Sequence, residues 1–94
     1  MNKPGLDIDA ARRLVEEISA DLAALPGGER HAQLRSEVEQ LKAVLANADA
    51  PPPAVEAGMR SVHSLVERAS TELQRDGVRA ATILQDIGRM LGLD

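Results

Sequence analysis

The chain has 94 residues, a net charge of −4, no cysteine and no aromatic residue. That length suits one domain, and 44% hydrophobic against 28% charged residues marks a globular chain rather than a disordered one. The interspersed, slightly acidic charge argues against nucleic acid as a partner, because phosphate binding needs a basic stripe; disulfides are excluded, and no run approaches the ~18 consecutive apolar residues of a membrane span.

Without Phe, Tyr or Trp the core is built from Leu, Ile, Val, Met and Ala, which bury less area per residue. A small chain with so thin a core often completes itself by oligomerising. The start, Met1-Asn2-Lys3-Pro4-Gly5, lacks the apolar run of a signal peptide, so a cytoplasmic location is expected. Arginine outnumbers lysine and alanine is abundant, a codon-usage pattern of GC-rich bacterial genomes.

The first predicted helix covers about 8–25, with Asp7 or Asp9 as its cap. Ile8, Ala11, Val15, Ile18, Leu22 and Leu25 recur in alternating steps of three and four, a heptad seam flanked by Leu14. Pro26-Gly27-Gly28 ends it, with Gly27 suited to the left-handed C′ position. A second helix is predicted at about 29–48, its seam formed by Leu34, Val38, Leu41, Leu45 and Ala48 with Val44 beside them. So short a connection makes the two helices an antiparallel hairpin. A proline-rich linker at 49–53 follows and is read as an extended spacer in which only Pro53 can enter a helix.

The third helix is predicted from about 54 to 76, with seam residues Val55, Met59, Val62, Val66, Ala69 and Leu73 and with Leu65 flanking. The fourth, about 78–91, offers Ala80, Ile83, Ile87 and Met90, with Leu84 and Leu91 alongside. Between them Asp76-Gly77 sends opposed signals. Gly77 is a natural terminator, yet steps of three and four from Leu73 pass through Asp76 to Ala80 and keep their phase to Met90. An unbroken helix over 54–91 would be about 57 Å long, against about 30 Å for the hairpin, and half of it would need a second chain. A break or kink at 76–77 is favoured. It makes an all-α, three- to four-helix bundle, one domain over 1–94, completed by oligomerisation.

Polar residues carry little chemistry. His31 lies in the first turn of the second helix and offers a pH-sensitive contact at the hairpin tip, though a half-exposed residue at a fraying helix end is the simpler reading. His63 and Glu67, with Glu56 two turns before, share a helix face of metal-ligand types, but Arg60 lies among them and favours a solvated ion-pair face. Ser61, Ser64 and Ser70 near His63 lie on one helix and cannot form a nucleophilic triad with an oxyanion hole. No phosphate loop, nucleophile elbow or zinc-ligand pattern is present, so no enzyme activity and no cofactor are expected. Gly88 and Gly92, four apart, suit close packing of a neighbouring helix. Asp9–Arg13, Glu56–Arg60 and Arg68–Glu72 are expected surface ion pairs.

The order of elements, with the run Ala80-x-Thr82-Ile83-x-Gln85-x-Ile87-x-x-Met90-Leu91, resembles a group of short bacterial helical proteins. The resemblance implies no activity, cofactor or site residue. The expected role is therefore non-enzymatic: self-association, as a homodimer or higher, through coiled-coil-like seams, with Val55, Met59, Val62, Val66, Leu73, Ile83, Leu84, Ile87, Met90 and Leu91 as the packing and interface candidates. The alternative is an adaptor, chaperone-like or antitoxin-type module whose partner supplies the missing helix.

Overall fold

The computed structural model describes residues 7–25, 31–47 and 49–92. Among the described residues five helices follow one another: α1 (Ile8–Ala23), α2 (Ala32–Leu45), α3 (Pro52–Arg68), α4 (Ser70–Arg75) and α5 (Ala80–Leu91). The fold is all-α, and among the described residues no helix is long and apolar enough to cross a membrane.

Local chemistry explains most of the helix ends. Asp7 caps α1, its Oδ1 accepting from the Ala10 amide at 3.2 Å. The stop at Pro26-Gly27-Gly28 and the seam position Ala48 lie outside the described residues. After α2, Asn47 turns the chain: its Oδ1 accepts from the Asp49 amide at 3.0 Å and its carbonyl from the Ala50 amide at 3.1 Å. The proline run is not an extended spacer throughout. Pro51 is extended and precedes α3, whereas Pro52 and Pro53 form its first turn, where helix amides have no intrahelical acceptor and a missing N–H costs nothing.

Beyond Arg68 the helix tightens at Ala69 rather than ending. The Ala69 amide donates to Leu65 and the Leu73 amide to Ala69, so α4 continues α3 past a local distortion. The true break comes at Asp76–Arg79. Gly77 has φ +95°. The Val78 amide donates to the Leu73 carbonyl at 2.8 Å and the Gly77 amide to the Gln74 carbonyl at 3.1 Å. This pair of bonds is the Schellman arrangement, which needs a left-handed residue at the position of Gly77. Its apolar contact is supplied by Leu73 and Val78, 0% and 3% exposed. The chain therefore reverses, and α5 returns along α3 as an antiparallel partner.

With α4 counted as an extension of α3, the arrangement is an up-down-up-down bundle of four rods. Neighbours pack in the order α1–α2–α3–α5, and α1 and α5 meet only weakly. The section is flattened, 28 × 16 Å across a 43 Å length. The seam residues of every helix face one core: Ala11, Val15, Ile18 and Leu22; Leu34, Val38, Leu41 and Leu45; Val55, Met59, Val62, Val66 and Leu73; Ala80, Ile83 and Ile87. Leu14, read from sequence as a flank, is also core. It lies toward α5 and widens the α1 stripe where the last helix returns.

Among the described residues two polar ties hold the hairpin. Arg12 donates from Nε at 3.0 Å and from Nη2 at 2.8 Å to the Leu45 carbonyl, and from Nη1 to Asp9 at 3.0 Å. The guanidinium thus joins the first turns of α1 to the end of α2, where carbonyls lack amide partners and the helix dipole favours a cation. Lys42 Nζ donates to Ser19 Oγ at 3.3 Å. Asp9 accordingly pairs with Arg12 and not with Arg13. Replacing Arg12 by Ala is expected to lower unfolding free energy by about 1.5–3 kcal/mol, the range for hydrogen bonds from a charged donor. Lysine should recover only part, because one ammonium cannot reproduce two donors on one edge. Urea melts of Arg12→Ala and Arg12→Lys check this; identical losses for both would refute the paired-donor geometry.

Candidate docking groove and polar cleft

The weak meeting of α1 and α5 leaves a groove of about 350 Å³. Its floor is Ala10, Leu14 and Met90, and its rim carries Arg13 and Glu17 from α1 and Asp86 and Arg89 from α5. Arg13 and Glu17 are one turn apart, as are Asp86 and Arg89, so helical spacing alone brings each opposite-charge pair to one face. Across the groove none of the four is in an ion pair with another. The rim carries two cations and two anions over an apolar floor, a surface suited to a helix with both signs of charge.

Of the ten packing candidates named from sequence, Val55, Met59, Val62, Val66, Leu73, Ile83 and Ile87 are buried inside the single chain. Leu84, Met90 and Leu91 pack against the core but stay partly exposed. The heptad seams are thus satisfied by the chain's own helices, and the partly exposed side chains among these ten are all on α5. By helical spacing Met90 sits on the groove side of the Ile83–Ile87 stripe and Leu84 and Leu91 on the other side.

At the opposite end of the bundle lies a more polar cleft of about 710 Å³, lined by His31, Gln33, Leu34, Leu65, Arg68 and Arg75 among others. His31 precedes α2 with φ 58°, a left-handed conformation in which His, Asn and Asp are enriched among non-glycine residues. Its ring is not half-exposed at a frayed end: the side chain is 4% exposed and Nε2 stands 3.1 Å from Asp76 Oδ2, itself 14% exposed. This contact joins the start of α2 to the end of α4 across 45 residues of sequence. Asp76, a poor residue to bury alone, is thereby given a partner. Glu72 and Arg68 both line the cleft but form no ion pair with each other.

The remaining sequence candidates do not converge. Glu56 pairs with Arg60 at 3.5 Å on the surface of α3, His63 is half-buried, and Ser61, Ser64 and Glu67 are exposed. Among the described residues no three His, Cys, Asp or Glu side chains form a metal-holding group. Gly88 is buried within α5, and Gly92 is its C-cap.

Three features escaped the sequence reading. Arg12, which is not among the expected ion pairs, clamps the Leu45 carbonyl. Gly58 on α3 sits where α2 approaches so closely that a Cβ there would stand 2.7 Å from Leu41 Cδ1. Arg35 holds Nε and Nη2 buried without a hydrogen-bond partner among the described residues. A glycine inside an otherwise regular helix was the one available signal, for Gly58. Comparison with protein-family models, with curated proteins and with solved structures finds no match for the chain.

Proposed function

We propose that the protein is a non-enzymatic helical association module that pairs with a second copy of itself through the α1/α5 groove. The observation that supports this reading is the groove itself: an apolar floor at Leu14 and Met90 beneath four rim charges that do not pair across it. Two α5 helices laid antiparallel about a two-fold axis near residues 87 and 88 put Asp86 of each copy opposite Arg89 of the other. A two-fold interface must be complementary to itself, and this rim has both signs in the order that requires. Burying Met90 and the groove floor supplies the apolar centre, and the charges set register more than affinity.

Light scattering over about 10–500 µM protein, a window suited to micromolar association, tests the reading. Association is expected to weaken about tenfold or more in Met90→Glu, which places a charge at the interface centre. Asp86→Arg should weaken it as well, and the double change Asp86→Arg with Arg89→Asp should restore it. A clean monomer at every concentration would overturn the proposal and leave a helix of another protein as the occupant.

A further inference from the structure

We infer that the Asp76–Arg79 connection is an exchange hinge, through which α5 leaves its own bundle and takes the same place in a second copy of this chain. The turn is short and rests on one left-handed residue, Gly77, with φ +95° and nothing within 4 Å of where a side chain would stand. On one side of it α4 already continues α3, through the bonds Ala69 to Leu65 at 3.1 Å and Leu73 to Ala69 at 2.8 Å. On the other side lies α5. It packs on α3 and α4 and meets α1 only weakly.

The register across the hinge is what makes the exchanged form self-consistent. Leu73, Ala80, Ile83 and Ile87 are all buried, and they are seven, three and four residues apart. If the hinge becomes helical, α3, α4 and α5 form one rod over residues 52–91, about 60 Å long. Its apolar stripe then runs unbroken from Val55 to Ile87, except at Asp76. Two such rods laid antiparallel, crossing at Gly77, place the α5 of each copy against the α3 of the other. Every contact that α5 makes in the closed chain is re-made between chains, so the two forms differ mainly at residues 76–79. Domain exchange is a low-cost route to a dimer under that condition.

Two groups oppose the straightened hinge. Gly77 is a poor helix former and is at ease in the left-handed turn. His31 contacts Asp76 at 3.1 Å and ties the hinge to the start of α2. The exchange uses the α3-facing side of α5 and none of the groove rim, so it stands or falls independently of groove pairing.

The test uses the full chain carrying Gly77→Ala, which favours the helix and disfavours the left-handed turn at both hinges of a dimer. The association constant is expected to rise roughly 30-fold or more, read by light scattering after refolding at high concentration. Because the chain has no cysteine, Ser61→Cys and Gln85→Cys, both at exposed positions, accept spin labels without competition. Labelled chain diluted into excess unlabelled chain reports the distance within one chain. That distance is expected under about 25 Å in the closed monomer and about 36 Å in the exchanged dimer. Groove pairing, in contrast, would give a dimer with the short distance and sensitivity to Met90→Glu. A two-residue Gly-Ser insertion after Gly77 should return the variant to monomer, since a longer connection lets α5 close on its own bundle. A folded, strictly monomeric Gly77→Ala protein overturns the inference, and so does a dimer that keeps the short distance. Should Gly77→Ala fail to fold, the parent chain refolded at about 500 µM is read the same way: a dimer with the long distance supports exchange, and its absence rejects it.

Discussion

Gly58→Leu is expected to be among the most damaging single substitutions in the protein, removing about 3 kcal/mol or more of unfolding free energy, a large part of a small domain's margin. Gly58 faces Leu41 across the α2–α3 contact, and a Cβ at that site would stand 2.7 Å from Leu41 Cδ1 and 3.5 Å from its Cγ. Leu41 is itself enclosed, 3% exposed, so its end cannot swing to solvent. Alanine sets two effects against each other. The helix gains about 1 kcal/mol when alanine replaces glycine, whereas overpacking a close contact costs typically about 1–3 kcal/mol. At alanine the two nearly cancel, because the atom in the way, Leu41 Cδ1, is the far end of a side chain and can shift within the core. Leucine adds three further carbons and forces α2 from α3, exposing the Val38–Val62 region of the core. Urea denaturation of Gly58→Ala, Gly58→Leu and Gly58→Leu with Leu41→Ala checks the argument: the last should recover part of the loss, since the space vacated at Leu41 receives the new side chain. A Gly58→Leu protein as stable as its parent would show that the two helices do not approach as described.

Leu73→Ala is expected to cost about 2–5 kcal/mol, the range for truncating a fully buried leucine. Leu73 is 0% exposed, and its backbone and side chain both serve the α4–α5 reversal. Its carbonyl accepts from Val78 at 2.8 Å, and its side chain closes the turn against Val78. Removing the side chain opens a cavity beside the turn, and partial relaxation leaves part of it unfilled. For a domain of this size each kcal/mol lowers Tm by about 4–8 °C, so a fall of roughly 8–40 °C is anticipated by calorimetry. Leu84→Ala, at a partly exposed position of α5, is the comparison and should lose distinctly less. Equal losses at the two sites would contradict the burial difference on which the expectation rests.

Helix existence and inward faces were legible in the sequence because both are short-range properties. Ile18, Val38, Val62 and Ile87 are buried at positions set by a period of three and four that any helix must present to a core. The Asp7 cap and the Gly77 terminator were legible for the same reason, since each acts on amides or carbonyls within one turn. The preserved phase through Asp76–Gly77 was the misleading signal. Leu73 and Ala80 fall in one heptad register, which suggested continuity, but each is buried because its own helix turns an apolar stripe inward. The residue that marks the break is Val78, off that register and buried, the apolar partner a Schellman turn places beside Leu73. Leucine four before a glycine and valine one after it was the available pattern.

What the sequence by itself determined, then, is where helices form, most of the stripe each one buries, and a terminator at Gly77 that was favoured over continuity, all consequences of local hydrogen bonding and side-chain spacing. The tertiary structure alone decided that the four rods close on one another within one chain, so that most of the packing and interface candidates lie in its own core. It also decided which distant groups meet: Arg12 with Leu45 across 33 residues, His31 with Asp76 across 45, and Gly58 with Leu41. A heptad stripe specifies that a side chain must be covered and not by which helix, because any apolar surface of matching shape satisfies it. The choice of cover follows from connection lengths and a handful of close contacts, and it leaves α1 and α5 meeting only weakly along the groove between them.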